Sequence, residues 1–108
     1  MIRPAPKPEV LRAIPVSAVE AFLLRRGWVR RPSTRPRFQY YEHSEMFFDN
    51  GERMYYYFPE HADSPDYPLS VLSFIENQAQ FWELDPHAVL AELQGGPLAE
   101  PVRTSVPA

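Results

Sequence analysis

An aromatic stretch in the middle of the chain constrains the fold more than any other feature. Residues 37–59, RFQYYEHSEMFFDNGERMYYYFP, hold nine of the fifteen aromatic residues. Aromatic side chains favour β-strands. Asp49, Asn50 and Gly51 are residue types of tight reversals. The stretch therefore predicts a β-hairpin with strands at about 37–43 and 53–58; whether residues 45–48 extend a strand or form a loop stays open.

Because successive strand residues point to opposite faces, the hairpin has an inner and an outer set of side chains. The side chains expected to face the core are Phe38, Tyr40, Met54, Tyr56 and Phe58. The outer face is expected to expose three tyrosines, which are Tyr41, Tyr55 and Tyr57.

The residues before the hairpin predict one helix and one further strand. Ser17 and Glu20 have the spacing of a capping box, and Gly27 is a C-terminal stop, so a helix is expected over about 18–26. Residues 28–31, WVRR, then predict a short strand that Pro32 ends. Three consecutive strands with short connections favour an antiparallel meander.

Two helices are predicted after the hairpin. In the first, Pro68 fits the first turn, and apolar residues recur at helical spacing. Asp85 and Pro86 open the second, which ends at Gly95. The apolar residues that define the longer helix are Val71, Leu72, Ile75, Ala79 and Trp82.

These elements predict a two-layer α+β domain of order α-β-β-β-α-α, in which helices cover one face of a three-stranded antiparallel sheet. We expect a flexible, proline-rich arm over residues 1–15, a single domain over 16–94 and a flexible tail over 95–108.

Length and composition exclude several classes of protein. The 108 residues suit one domain, and no apolar run approaches the roughly 18 residues that span a bilayer. The proline-broken N-terminus does not look like a secretion signal, and cysteine is absent, so disulfides and thiolate chemistry are excluded. We expect a cytoplasmic protein without a cofactor.

Charge is distributed unevenly along the chain. Residues 1–40 carry nine basic and two acidic side chains, whereas residues 41–108 carry two basic and twelve acidic ones. One interpretation is an anionic partner for the first half. The alternative is that the two halves fold together and neutralise each other.

Short segments resemble the HicA-like toxins, small bacterial proteins with a double-stranded-RNA-binding-domain fold. The likeness covers about residues 16–82 and depends on Gly27-Trp28, on the segment Phe58 to His61, and on Leu72 to Ile75. It implies an RNA-binding ancestry. Where that family has the catalytic Gly-Ser-His, this chain has Arg35-Pro36-Arg37-Phe38, so ribonuclease activity does not follow.

No complete catalytic or metal-binding motif is present. His43 and His61 could be brought together as acid and base, although isolated histidines are more often solvated. No histidine or carboxylate pair has metal-ligand spacing on a predicted helix. We therefore predict neither catalytic nor metal-binding residues, and the sequence favours a protein that is not an enzyme.

Two functions remain open. The first is a protein-interaction or regulatory module of a toxin–antitoxin-like or accessory system, because tyrosine and arginine dominate protein interfaces. The second is an RNA-binding module of HicA-like descent, which could be a degenerate ribonuclease and in which arginines bind phosphate and tyrosines stack on bases. Both hypotheses use the same surface residues, which are Arg30, Arg31, Arg35, Arg37, Tyr41, Tyr55 and Tyr57.

Overall fold

The structure is a computed structural model that describes residues 6–101. The described part contains four helices and three strands. In chain order they are α1 (Pro8–Arg12), α2 (Val16–Arg25), β1 (Trp28–Arg31), β2 (Phe38–Phe47), β3 (Arg53–Pro59), α3 (Tyr67–Trp82) and α4 (Pro86–Leu93). The predicted α+β class is confirmed, with one helix more than expected at the N-terminal end.

The three strands form an antiparallel sheet of order β1-β2-β3, as the short connections predict. Residues 45–47, left open by the sequence, belong to β2. The register shifts between Glu42 and Phe47, so β2 bulges there. Arg53 closes this irregularity because its guanidinium donates to the carbonyl oxygens of His43, at 3.0 Å, and Ser44, at 2.7 Å.

The core lies between the sheet and the helices, and Phe74 of α3 is at its centre. This fully buried ring makes edge-to-face contacts with Phe22 of α2 at 5.4 Å and with Tyr56 and Phe58 of β3 at 5.7 Å. Such contacts between rings add to the free energy of burial. They join the two layers, and they confirm that Tyr56 and Phe58 face the helices.

The first predicted helix begins earlier than its sequence suggests. α2 starts at Val16 with Pro15 as its N-cap, and no side chain caps it. The Pro15 carbonyl accepts from the backbone N–H of Ala18 at 3.0 Å, so Ser17 lies inside the first turn. The capping-box prediction is therefore wrong. The Gly27 prediction is confirmed, since this residue follows the helix with a φ of 90°.

The two later helices match their predicted signals. Pro68 lies in the first turn of α3, and Val71, Ile75 and Ala79 are buried along it. The carboxylate of Asp85 caps α4 by accepting from the backbone N–H of His87 at 3.0 Å. Gly95 follows α4 with a φ of 89°.

Described residues before 16 and after 94, the predicted domain limits, also contribute to the core. Leu11 and Ile14 are buried, and the hydroxyl of Tyr67 donates to the Ile14 carbonyl at 2.5 Å. Arg12 donates to the Ala62 carbonyl at 2.9 Å. At the other end Ala99 is buried. Residues 1–5 and 102–108 of the predicted arm and tail lie outside the described residues.

Candidate functional site

The side of the sheet that points away from the helices is the candidate site, and we call it the outer face. Residues paired across the strands share a face, so the register assigns its members. They are Val29, Arg31, Phe38, Tyr40, Glu42, Phe47, Arg53, Tyr55, Tyr57 and Pro59. Within residues 6–101 the helices lie on the other side, which leaves Phe47 54% exposed and Tyr55 46% exposed.

Aromatic rings form a continuous row across this face. Tyr40 lies 4.8 Å from Tyr57 between ring centroids, and Tyr57 lies 6.0 Å from Tyr55. Phe48 extends the row, with its ring edge-on to Tyr55 at 5.5 Å. These rings hold one another in place and keep one side toward solvent.

In the structure, the β2 side chains from Phe38 to Glu42 face the opposite sides of the sheet from those predicted. Tyr41 is fully buried on the inner face, and Tyr40 takes the outer position. The reason is the pairing with β3, because Tyr41 lies opposite the inward Tyr56, and Tyr40 lies opposite the outward Tyr57. The prediction for Tyr41, and with it the inward orientation of Phe38 and Tyr40, is therefore wrong.

The sequence does indicate which β2 side chains face the core, through the residue two positions after Tyr40. Glu42 shares a face with Phe38 and Tyr40, so turning that set inward would have buried a carboxylate without a basic partner, which is costly. Turning Gln39, Tyr41 and His43 inward buries only neutral groups. Sequence reasoning also missed Phe47 and Phe48, because their segment could not be assigned to a strand.

Glu42 is the carboxylate at the centre of the outer face, where two neighbours pair with it. The Tyr40 hydroxyl donates to it at 2.8 Å, and the Arg31 guanidinium lies 3.5 Å away. Burial, followed by the hydrogen bond to Glu42, raises the pKa of Tyr40 to about 12. The centre of the face therefore carries no unpaired charge at neutral pH.

The predicted arginines divide between the two faces and the loop beside them. Arg31 is on the outer face, and Arg35 reaches over it, with its guanidinium carbon 4.8 Å from the Tyr57 centroid and 5.0 Å from Phe38. Arg37 is exposed in the same loop. Arg30 instead lies opposite Tyr41 on the inner side, where it pairs with Glu20 at 3.4 Å.

The two ends of the outer face carry opposite charge. The end at the β1–β2 loop has three arginines and one carboxylate, which are Arg31, Arg35, Arg37 and Glu60. The end at the β2–β3 turn has three carboxylates and one arginine, which are Glu45, Asp49, Glu52 and Arg53. Since β2 has ten residues, these ends are about 30 Å apart.

Two other arginines of the basic half pair with one buried carboxylate. Glu92 of α4 accepts from Arg26 at 2.8 and 2.9 Å and from Arg25 at 2.6 and 3.1 Å. Its side chain is 1% exposed. Arg26 also covers the Phe22 ring at 3.7 Å. The uneven charge of the sequence is thus partly neutralised by folding, which leaves Arg25 and Arg26 occupied.

The environment of Glu92 lowers its pKa although the group is buried. Burial alone would raise the pKa of this carboxyl, but hydrogen bonds from Arg26, the Ala99 N–H and Arg25 outweigh it. The Ala99 N–H donates at 2.8 Å. The ionised Glu92 side chain of α4 therefore connects this helix to α2 and to the segment around Ala99.

The histidines do not come together. His43 is buried against Trp28, its Nε2 lies 2.8 Å from the Arg26 carbonyl, and its Nδ1 accepts from the Glu45 N–H at 3.1 Å. These contacts fit a neutral imidazole with the proton on Nε2. His61 follows Pro59 at the far end of β2, about 16 Å away along the strand. The acid–base arrangement that the sequence left possible is therefore not formed.

A large groove away from the outer face offers little chemistry. An apolar groove of about 690 Å³ lies between α1, the start of α2 and the end of α4, and of the described residues around it only Glu9 is ionisable. Within residues 6–101 no group of three or more histidines and carboxylates is placed to hold a metal ion. The outer face is the feature that remains for a function.

Comparisons with known proteins do not indicate a function for this chain. No family model, curated protein or solved structure matches the chain. The resemblance to HicA-like toxins therefore stays a prediction. None of the helices in the described part of the chain combines the length and apolar character needed to cross a membrane.

Proposed function

We propose that this chain is a non-catalytic protein-docking module that binds another protein with its outer face. The observation that carries the proposal is the aromatic row of Tyr40, Tyr57, Tyr55 and Phe48, which is ordered by its own contacts and partly exposed. Rigid aromatic side chains lose little conformational entropy on binding, and they supply much of the energy of protein interfaces.

The charges on the face support a protein partner more than a nucleic acid. A single strand that followed the rings along the sheet would run from the arginines of one end to the carboxylates of the other, where Glu45, Asp49 and Glu52 repel phosphate. A folded protein can present both signs of charge.

The lack of cysteine agrees with the expected cytoplasmic location, and an accessory or regulatory role of the toxin–antitoxin type remains our interpretation.

RNA binding is the second candidate, and one contact favours it. The Arg35 guanidinium over the Tyr57 ring, with Arg31 and Arg37 nearby, would suit one or two stacked nucleotides at the basic end. Binding of this kind should weaken steeply as salt increases.

Photocrosslinking separates the two candidates. A benzoylphenylalanine placed at Tyr55 in cells of the source organism should yield a protein adduct that survives ribonuclease. The same group at Leu69, which is 66% exposed on α3, is the matched control and should yield little. An adduct that ribonuclease removes would favour RNA instead, and equal labelling from both positions would contradict docking by the outer face.

A further inference from the structure

We propose that the protein bound by the outer face is a second copy of this chain, packed face to face about a two-fold axis. The inference depends on the proposed docking function and names its partner. In this arrangement the axis lies between the two sheets and runs perpendicular to the strands. It places the β1–β2 end of each copy over the β2–β3 end of the other.

The charge pattern of the face is complementary to itself in this one orientation. Arg35 and Arg37 of one copy meet Glu45, Asp49 and Glu52 of the other, and symmetry repeats the contact at the opposite end. A two-fold axis parallel to the strands would instead place arginine over arginine. A uniformly acidic or basic partner would complement only one end of the face.

The middle of the face also suits contact with its own copy. Tyr55 lies opposite Glu42, midway between the two charged ends, so Tyr55 of one copy would face Tyr55 of the other between two sheets about 10 Å apart, the typical spacing of packed sheets. Glu42 already has Tyr40 and Arg31 as partners within its own chain. Burying the centre would therefore not strand a charge.

Sedimentation velocity of the purified full chain tests the proposal with charge-reversal variants. The wild type should form dimers that dissociate as salt increases. A basic-end variant, Arg35→Glu with Arg37→Glu, and an acidic-end variant, Asp49→Arg with Glu52→Arg, should each raise the dimer dissociation constant roughly tenfold or more.

Mixing the two variants gives the sharpest result. Each variant alone has two ends of the same sign and repels its own copy, but the mixture restores both attractive contacts. An equimolar mixture should therefore form a heterodimer with nearly wild-type affinity. Tyr55→Glu, in the middle, should weaken the dimer roughly thirtyfold, whereas Leu69→Glu on α3 should leave it unchanged. Unchanged thermal unfolding of each variant shows that it is folded.

A monomeric wild type at high micromolar concentration would overturn the second-copy proposal, and so would a dimer that both charge variants and Tyr55→Glu leave intact. Neither result removes the docking function itself. That function fails if photocrosslinking from Tyr55 also finds no protein, because a different partner would still be captured there.

Discussion

Tyr40 and Tyr41 are neighbours on β2 and meet opposite environments. Tyr41 is fully buried beneath the helices, with its hydroxyl 2.7 Å from Gln39 and 3.3 Å from Glu20. Tyr40 lies on the outer face, where its ring contacts Tyr57 and its hydroxyl donates to Glu42. One side of the sheet has aromatic residues enclosed by the fold, and the other has aromatic residues that contact mainly each other.

The difference separates the side chains that stabilise the fold from those that we propose for docking. Inner rings such as Phe74 join the sheet to the helices, so the fold depends on them. Outer rings such as Phe47 and Tyr55 remain about half exposed, and removing them costs the isolated chain little buried area. An exposed aromatic surface of this kind is the feature on which we base the proposed docking function.

The largest expected effect comes from the centre of the inner face. Phe74→Ala should lower the free energy of unfolding by about 4 kcal/mol, because it leaves a cavity under Tyr56 and Phe58. The matched change Phe47→Ala on the outer face should cost less than about 1 kcal/mol. Urea unfolding of both variants measures the contrast, and equal losses would contradict the distinction between the faces.

Ion pairs should show a similar contrast between buried and exposed positions. Glu92→Gln leaves Arg26, which is 14% exposed, without its carboxylate, and should cost about 3 kcal/mol. Glu42→Gln on the outer face, where Arg31 is 55% exposed, should cost less than about 1 kcal/mol. Chemical denaturation at neutral pH measures both. Comparable losses would show that the outer pair also holds the fold together.

Alkaline pH should lower the free energy of unfolding, and the hydroxyl of Tyr56 on the inner face should account for part of the loss. Burial raises the pKa of Tyr56 to about 12 from its ordinary value of 10.0. The unfolded chain therefore ionises first, and the stabilisation present below pH 10 is lost as the pH rises toward 12. At about pH 11 the ionisation of this tyrosine should have lowered the free energy of unfolding by roughly 1 kcal/mol. Tyr56→Phe should reduce the fall in unfolding free energy between pH 9 and 11; an unchanged fall would contradict it.

Local patterns predicted most of the fold. One helix ends before Gly27, which adopts a positive φ, another has Pro68 in its first turn, and a third begins after the capping residue Asp85, as predicted. The short connections between the strands give the predicted meander. The helix at Pro8–Arg12 escaped notice because it is only five residues long among prolines. Its position depends on long-range contacts from Arg12 and Tyr67, which no local pattern reveals.

The site was predicted in part, for a physical reason. Tyr55 and Tyr57 were placed correctly because β3 has one clear apolar set, in phase with Phe58. β2 has aromatic residues in both phases, so a period of two alone could not orient Tyr40 and Tyr41. The cost of burying Glu42 would have decided between them. The pairing of Glu92 with Arg25 and Arg26 joins residues more than sixty positions apart, and required the fold.

The most direct test of the central claim measures which face becomes covered when the protein acts. Hydroxyl-radical footprinting can compare the dilute purified chain with the protein in a native extract of its source. Oxidation of Tyr55 and Phe47 should fall several-fold in the extract relative to Leu69, which is 66% exposed and lies on the helical side. If Tyr55 and Phe47 are oxidised as readily in the extract as in the dilute sample, the outer face is not a docking surface.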